Sequence, residues 1–477
     1  MATPIPLNEA RFSAWEIAAA SGGRLVHSLF DVVTTSVTSD ARTVRPGCAF
    51  FALLGERFDG HQFVTEAVSK GATTVVVRRG QGSGVHANVV EVDDTLVAWG
   101  DLARLHLARW RQTRNGASVI GITGSAGKTT TRLLTAALLS ERRCVLATTG
   151  NLNNRVGLPA TVFAVTDSHD AAVFELGMSL PDEIAQLAAI AKPDVGVLLN
   201  CGIAHAEGVG GTRSDVAYEK GALFATLPRS GVAIVNCMDP AALGQLVRTQ
   251  ARSFRFGSCD GSDARLLARE PTAYGALLSI ANGGRHLRVE FPLVGAAAAL
   301  DFLAALAAAE AIAGQLTEGE IAHALSRVEA IEGRARVLDV GEVKIIDDSY
   351  NANPLSMRES LTMAIEVASQ AGNARVGLVL GDMKELGPLT VESHRELADL
   401  IRDASPGWII LCGAAVRHTY ERLEDLGIHV PCVPDAEAAL VEAKQRIKSG
   451  DVVLVKGSRG IGLERVVVGL SAFVEAR

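Results

Sequence analysis

One stretch constrains this chain more than any other: Val119-Ile120-Gly121-Ile122-Thr123-Gly124-Ser125-Ala126-Gly127-Lys128-Thr129-Thr130. Val119 to Ile122 reads as the end of a buried strand, and the residues from Thr129 onward as a helix. Between them, Gly124, Ser125, Ala126 and Gly127 suit a tight turn whose backbone N–H groups point inward. A helix N-terminus supplies unpaired donors and a partial positive charge. Lys128 adds a full charge, and the Thr129 hydroxyl is placed to hold Mg²⁺. The stretch therefore predicts a phosphate-binding loop. It departs from the common G-x-x-x-x-G-K-[ST] pattern, which wants glycine where Ile122 stands, and Gly121 lies one residue too early. An ordinary glycine-rich turn is the plain alternative. The coincidence of strand, turn, Lys-Thr and helix argues against it.

Length and composition set the frame. A chain of 477 residues exceeds one core, so two to four domains are expected. At 48% hydrophobic residues it has enough to fill them, which argues against disorder. The net charge of −7, with no long basic run, does not favour nucleic acid as a partner. The seven cysteines form no C-x-x-C pair, which suits reduced thiols in a cytosolic protein. Residues 1–11 lack the basic region and apolar core of a signal peptide. The most apolar segment, 295–314, is mostly alanine and carries Asp301 and Glu310. It reads as a buried helix and not a membrane span.

The predicted fold class is α/β with three domains. Residues 1–112 read as a small N-terminal α/β domain, with a helix over 7–20, polar turns at 40–47 and 55–61, a helix over 61–70, a strand over 73–77 and a helix over 102–110. On their own, Arg42, Arg57 and His61 read as surface or turn residues. Residues 112–117 suit a linker. Residues 113–329 alternate strands (119–122, 145–148, 172–175, 194–200, 232–236) with helices (180–190, 213–227). That alternation predicts a doubly wound, mostly parallel sheet carrying the loop. Residues 330–477 repeat it, with strands at 343–346, 376–380, 408–411 and 451–455, and predict a C-terminal Rossmann-like domain. Ligands in such sheets sit at the carboxyl ends of strands, where Glu175, Asn200 and His205 fall.

Several polar clusters gather at those ends. Thr129, Glu175 and His205 resemble a Mg²⁺–nucleotide site, because Mg²⁺ prefers hard oxygen ligands. Taken alone, Glu175 reads equally as a strand-end cap, and His205 reads better as a satisfied loop histidine. The loop Asn151-Leu152-Asn153-Asn154-Arg155 suits phosphate binding or Asx turns in equal measure. Lys220, beside Tyr218 and Glu219 on a helix, reads as a solvated lysine on residue grounds. Asp347-Asp348-Ser349-Tyr350-Asn351-Ala352-Asn353-Pro354 suggests a ribose or substrate contact, or else a capped turn. Gly381 to Gly387, with His394 downstream, is a further charged strand-end loop. In Lys456-Gly457-Ser458-Arg459, Lys456 and Arg459 suit a carboxylate or phosphate.

Taken together, these motifs resemble the Mur ligases, ATP-dependent amide-forming enzymes of peptidoglycan (cell wall) synthesis, over nearly the whole chain. Gly121 to Thr129 is similar to the family's own version of the phosphate loop, and 151–159 to its asparagine-rich loop. Asp347 to Pro354, Gly381 to Gly387 and Lys456 to Arg459 resemble the member that adds D-Ala-D-Ala to UDP-N-acetylmuramoyl-tripeptide. The first and last of these stretches argue against a folylpolyglutamate or cyanophycin-type ligase. The resemblance implies ATP contacts from Thr123, Gly124, Ser125, Ala126, Gly127, Lys128, Thr129, Arg334 and Asp348. It implies two Mg²⁺ ions on Thr129, Glu175, His205 and Lys220, with Lys220 carbamoylated by CO₂. Lys128, Lys220 and His205 take the catalytic roles. Arg42, Asn153, Asn154, Tyr350, Asn351, Lys456, Ser458 and Arg459 take substrate contacts, with the uridine part on the N-terminal domain. A cytoplasmic monomer with no membrane insertion is expected.

Two departures stand out. The family carries a Gly-x-His-Asn-x-x-Asn segment that contacts adenine. Here the stretch is Gly295-Ala296-Ala297-Ala298-Ala299-Leu300-Asp301, without the His and both Asn. Adenine is then expected to be held by other groups, and a non-catalytic binding protein is the rival reading. In Pro181-Asp182-Glu183, Asp182 stands where the family tends to have glycine.

Overall fold

A computed structural model describes residues 3–55, 58–203 and 206–476. Its strands form sheets of five, nine and six strands in chain order, with a two-stranded ribbon besides. The five-stranded sheet runs Arg24–His27, Asn88–Val92, Thr74–Arg78, Ala49–Phe51, Val37–Thr38, parallel except for its first pair. The helix expected over 7–20 forms only at Ala14–Ala20. Ser13 and Glu16 close a capping box there and so set the start. Upstream no helix forms, and the Asn8 amide bonds both backbone groups of Val37 instead.

The helix expected over 102–110 runs from Thr95 to Thr113, begun by Asp94, whose carboxylate accepts from Leu96 and Val97 N–H. It ties the first two units together. Its face of Trp99, Leu102, Leu107 and Trp110 packs in one core with Phe51 and Val90 of the first sheet and Phe163 and Leu187 of the second unit. The indoles find partners there: Trp99 donates to Val156 O at 3.0 Å and Trp110 to His169 O at 3.1 Å.

The nine-stranded sheet is parallel from Val145–Ala147 across Ala171–Glu175, Ser118–Thr123, Val195–Leu198, Val232–Asn236 and Arg252–Gly257 to Ala264–Thr272. It then continues as an antiparallel meander through Gly275–Asn282 and Arg285–Phe291. The sequence reading placed nothing over 252–291. These strands carry one wet face, as in Arg285–Phe291, where Leu287, Val289 and Phe291 are buried between exposed neighbours.

Two helices, Lys128–Leu139 and Ala296–Ala313, pack together over this sheet in one core that includes Leu134, Leu138, Phe302 and Leu306. The second is long and apolar enough to cross a membrane, but here its alanines allow close packing against the loop helix. The six-stranded sheet runs Arg336–Val340, Val343–Asp348, Val452–Lys456, Val376–Gly381, Trp408–Cys412, Cys432–Val433. Only the first pair is antiparallel, and its strand Arg336–Val340 was also not anticipated.

Candidate active site

A cleft of about 980 Å³ lies between the second and third sheets, at the carboxyl ends of their strands. Its floor is the loop between the strand Ser118–Thr123 and the helix Lys128–Leu139. Gly127 takes the left-handed conformation at φ 83°, and a Cβ there would fall 2.2 Å from Asp301 Oδ1, so only glycine fits. Asn200 holds the outer limb: its Oδ1 accepts from Ser125 N and Ala126 N, each at 2.9 Å. The Ser125 hydroxyl donates to Gly202 O at 2.8 Å. Pinned in this way, the loop leaves the first-turn N–H groups of the helix for an anion. The Lys128 ammonium folds back on Gly124 O at 2.7 Å. Burial lowers its pKa, with Arg334 adding to the effect and Glu175 opposing it.

Glu175 is 2% exposed at the end of its strand. Its Oε2 accepts from the Thr129 hydroxyl at 3.0 Å and its Oε1 from the Asn153 amide at 2.9 Å, while Arg132 Nε lies 3.8 Å from Oε2. A hydroxyl and a carboxylate so placed form the hard oxygen set that suits Mg²⁺ beside phosphates. His205, the third expected ligand, lies outside the described residues. Lys220 is 1% exposed on the helix Arg213–Ala225. Burial, and then the charge of Lys128, lower its pKa to about 7, so much of it is a neutral amine near pH 7.

The opposite wall comes from the third sheet. Its parallel register sets Asp348 beside Lys456, and their side chains pair at 2.6 Å. Asp348 also accepts from the Ser360 hydroxyl at 2.5 Å and Ala335 N at 3.2 Å, and Lys456 donates to Asn351 O at 3.1 Å. Arg334 lies 4.2 Å and Arg459 5.3 Å from the centre of the Tyr350 ring, so the ring carries two guanidiniums. Asn353 caps the helix Pro354–Gln370 and donates to Ser125 O of the phosphate loop at 3.3 Å. Two acids complete the cleft. Burial pushes Glu359 up to about 7, with Lys456 opposing and Asp348 adding. Burial, and then the charge of Glu359, raise Asp301 well above the usual carboxylate range.

Most of the expected residues meet in this cleft. Ser125, Ala126, Gly127, Lys128, Thr129, Asn153, Asn154, Glu175, Arg334, Asp348, Tyr350, Asn351, Lys456 and Arg459 line it. Others do not. Thr123 is buried and its hydroxyl is committed to Leu176 O at 2.9 Å, and Gly124 is buried behind the loop. Ser458 is buried too, with its hydroxyl accepting from Lys384 N at 2.9 Å. Asn154 reaches the cleft, but its Oδ1 caps the helix Gly157–Phe163 through Val156 N and Gly157 N. Arg42, 83% exposed by side chain, pairs with Asp40 on the first unit, away from the cleft walls. Sequence reasoning missed Glu359, Arg132 and the reach of Asn353, and noted Asn200 only as a strand-end residue. The run Leu198-Leu199-Asn200 signalled a polar strand end, whereas nothing local distinguishes Glu359 from a solvated helix acid.

Comparison with known proteins agrees with this geometry. Residues 122–309 match the family model described as Mur ligase middle domain, 333–459 that of the Mur ligase, glutamate ligase domain, and 33–106 that of the Mur ligase family, catalytic domain. The UDP-N-acetylmuramoyl-tripeptide–D-alanyl-D-alanine ligase of Escherichia coli is 34% identical over 92% of this chain and 94% of its own length. The ligase of the same name from Synechocystis is 34% identical over 93% of each chain. A crystal structure of MurF from Acinetobacter baumannii superposes with a TM-score of 0.87 at 27% identity, covering 98% of this chain and 100% of that one. MurF ligase from Thermotoga maritima, in complex with ADP, gives 0.81 at 27% identity over 93% and 98%.

Proposed function

The chain belongs to the Mur ligase family, and we propose that it is the ligase that joins D-alanyl-D-alanine to UDP-N-acetylmuramoyl-tripeptide at the expense of ATP, in peptidoglycan precursor synthesis. The observation that carries this reading is one cleft with two chemistries facing each other. On one side are the loop, Lys128 and the Thr129–Glu175 pair; on the other, the cationic wall of Arg334, Lys456 and Arg459.

The tripeptide carboxylate attacks the γ-phosphorus of ATP, ADP leaves, and an acyl phosphate results. The D-Ala-D-Ala amine then attacks the acyl carbon, forms the amide and expels phosphate. Carboxylate and triphosphate repel each other, so positive charge must stand ready where they meet. Lys128 and the helix N–H groups supply part of it to the phosphates. Thr129 and Glu175 would hold a Mg²⁺ ion, whose charge screens the two anions when it is bound. Lys220, poised near neutrality, adds through its nitrogen to CO₂ and loses a proton. The resulting carbamate, with His205, would serve a second Mg²⁺. Arg334 reaches the nucleotide from the opposite wall, and Tyr350 keeps that guanidinium in place. Tyr350, Asn351 and Arg459 orient the tripeptide end. Lys456 lines that wall with its charge largely offset by Asp348, so Arg334 and Arg459 supply most of its positive charge. The contact of Asn353 with the loop closes the third unit over the reacting atoms, which keeps water from the acyl phosphate. The enzyme works as a cytoplasmic monomer on soluble precursors.

The test is phosphate release with ATP, the UDP-tripeptide and D-Ala-D-Ala, each omitted in turn. Release only with all three is expected. No release with all three, under conditions where the E. coli enzyme turns over, overturns the reading.

A further inference from the structure

The helix Pro354–Gln370 lies across the boundary between the second and third units and touches the second at separated points. At its N-cap, Asn353 reaches Ser125 O. At its middle, Met363 packs on Gly295, whose added Cβ would lie 3.4 Å from the Met363 sulfur. Near its far end, Glu366 meets Arg269 of the strand Ala264–Thr272 in a two-pronged ion pair: Nη1 donates to Oε2 at 2.6 Å and Nη2 to Oε1. The side chains are only 10% and 21% exposed. The neighbouring turn of the meander adds Tyr274, whose ring lies 4.8 Å from the Lys344 ammonium of the third sheet.

We propose that Arg269 and Glu366 form a latch between the units and act as positioning residues for the reaction, by fixing the angle at which the C-terminal unit sits over the phosphate loop. A single anchor at Asn353 leaves the helix free to pivot about the loop. Glu366 stands about 20 Å further along the axis at 1.5 Å per residue, where a small contact has a long lever. The walls that must align, Arg334, Asp348 and Tyr350, belong to the unit this helix carries. A misplacement of about 1 Å at reacting atoms costs on the order of 10²-fold in rate. The ion pair suits the task. Planar fork-to-fork geometry specifies direction as well as distance, and removing one partner strands a largely buried charge. It also explains a segment that the catalytic chemistry leaves idle, since the meander over 264–291 supplies no loop or metal group yet furnishes this contact.

The role in catalysis rests on the ligase reading, but the latch itself does not, so the test reads shape and nucleotide affinity as well as turnover. R269M, E366Q and the double variant are compared with the parent by small-angle scattering without ligands, by ATP titration and by kinetics. Each single variant is expected to enlarge the radius of gyration and to weaken ATP binding and raise its KM by about tenfold, with kcat at saturation falling less. The double variant should do no worse than either single, because the contact is lost only once and no lone charge is left stranded. Unchanged radius and affinity in the single variants overturn the latch, as do additive losses in the double variant. Turnover absent from every protein, with the radius still shifting in the variants, defeats the ligase reading and leaves the latch standing.

Discussion

The Thr129 hydroxyl and the Glu175 carboxylate meet at 3.0 Å, one from the first turn of a helix and the other from the end of the adjacent strand. Parallel register sets Glu175 beside Ile122, just before the loop turns, so the two oxygens face each other across it. Glu175→Gln keeps the size and the hydrogen-bonding reach but removes the charge. It is expected to lower kcat/KM by about 10²-fold or more, because a metal that screens two anions is worth several kcal/mol. Mn²⁺ titration followed by electron paramagnetic resonance should show weakened binding. Parent-like Mn²⁺ affinity in that variant would remove Glu175 from the metal site.

Asp301 stands against Gly127, in the cleft where triphosphate is expected. Burial, and then the charge of Glu359, raise its pKa well above the usual carboxylate range, which favours the neutral, donating form beside the anion. Asp301→Asn preserves that neutrality and shape. Its ATP dissociation constant should stay within roughly threefold of the parent, since a neutral amide donates to the anion much as the neutral acid does and exchanging one such donor for another changes the bond by less than about 1 kcal/mol. Equilibrium titration at pH 7.5 decides: a loss beyond about 30-fold would mean that the ionised acid is the working form.

Glu359 gives a pH dependence of stability. Its pKa is raised from 4.5 to about 7 by burial, with Lys456 opposing and Asp348 adding. Between those values the folded state holds a proton that the unfolded state has lost, so stability falls as pH rises through this window. Above about 7 the loss is complete, and below 4.5 it is absent. Glu359→Gln removes the cost and should be more stable than the parent at pH 8, by about 3 kcal/mol, with no difference near pH 4.5. Thermal melts across that range check this; parallel curves for the two proteins would sink it.

Asp382 has a structural task that its place in a charged strand-end loop disguised. Its carboxylate accepts from Ala414 N at 3.2 Å and from Ala415 N and Val416 N, each at 2.9 Å, and it is 5% exposed. It thereby satisfies the start of the helix Arg417–Asp425. Asp382→Ala removes the acceptor of three N–H groups, that of Val416 buried and those of Ala414 and Ala415 partly so, and should destabilise the fold by about 2–4 kcal/mol. Urea denaturation measures it, and a change below about 0.5 kcal/mol would show that water replaces the carboxylate.

The loop, the strand ends and the alternation of elements were legible because each is a local consequence of residue type. Glycines and Lys-Thr between an apolar run and a helix leave few alternatives. The meander over 264–291 was legible only in part: Asn282-Gly283-Gly284 before the alternating Leu287, Val289 and Phe291 is a hairpin signal that went unread, whereas Ala264–Thr272 has one wet face and mixed composition and lacks the solid apolar run of a buried strand. Asn154 and Ser458 look like ligands in the sequence, but the Asn154 Oδ1 and the Ser458 hydroxyl accept from backbone N–H groups. Lys220 looked solvated in a helix and is buried, within reach of the charge of Lys128.

What the sequence by itself determined is the chemistry available and its order along the chain: a phosphate loop at 123–129, an acid at the next parallel strand end, and cationic and amide clusters at the ends of later strands. Local periodicity and turn chemistry encode such features directly. Only the tertiary structure decided which of these groups share a cleft, which are spent on caps, and what charge they carry. Asp348 meets Lys456 because two strands over 100 residues apart in the chain pair in register. Lys220, Glu359 and Asp301 titrate far from their ordinary values because packing removes water from them. Burial and charge proximity are sums over the whole fold, and no window of sequence contains them.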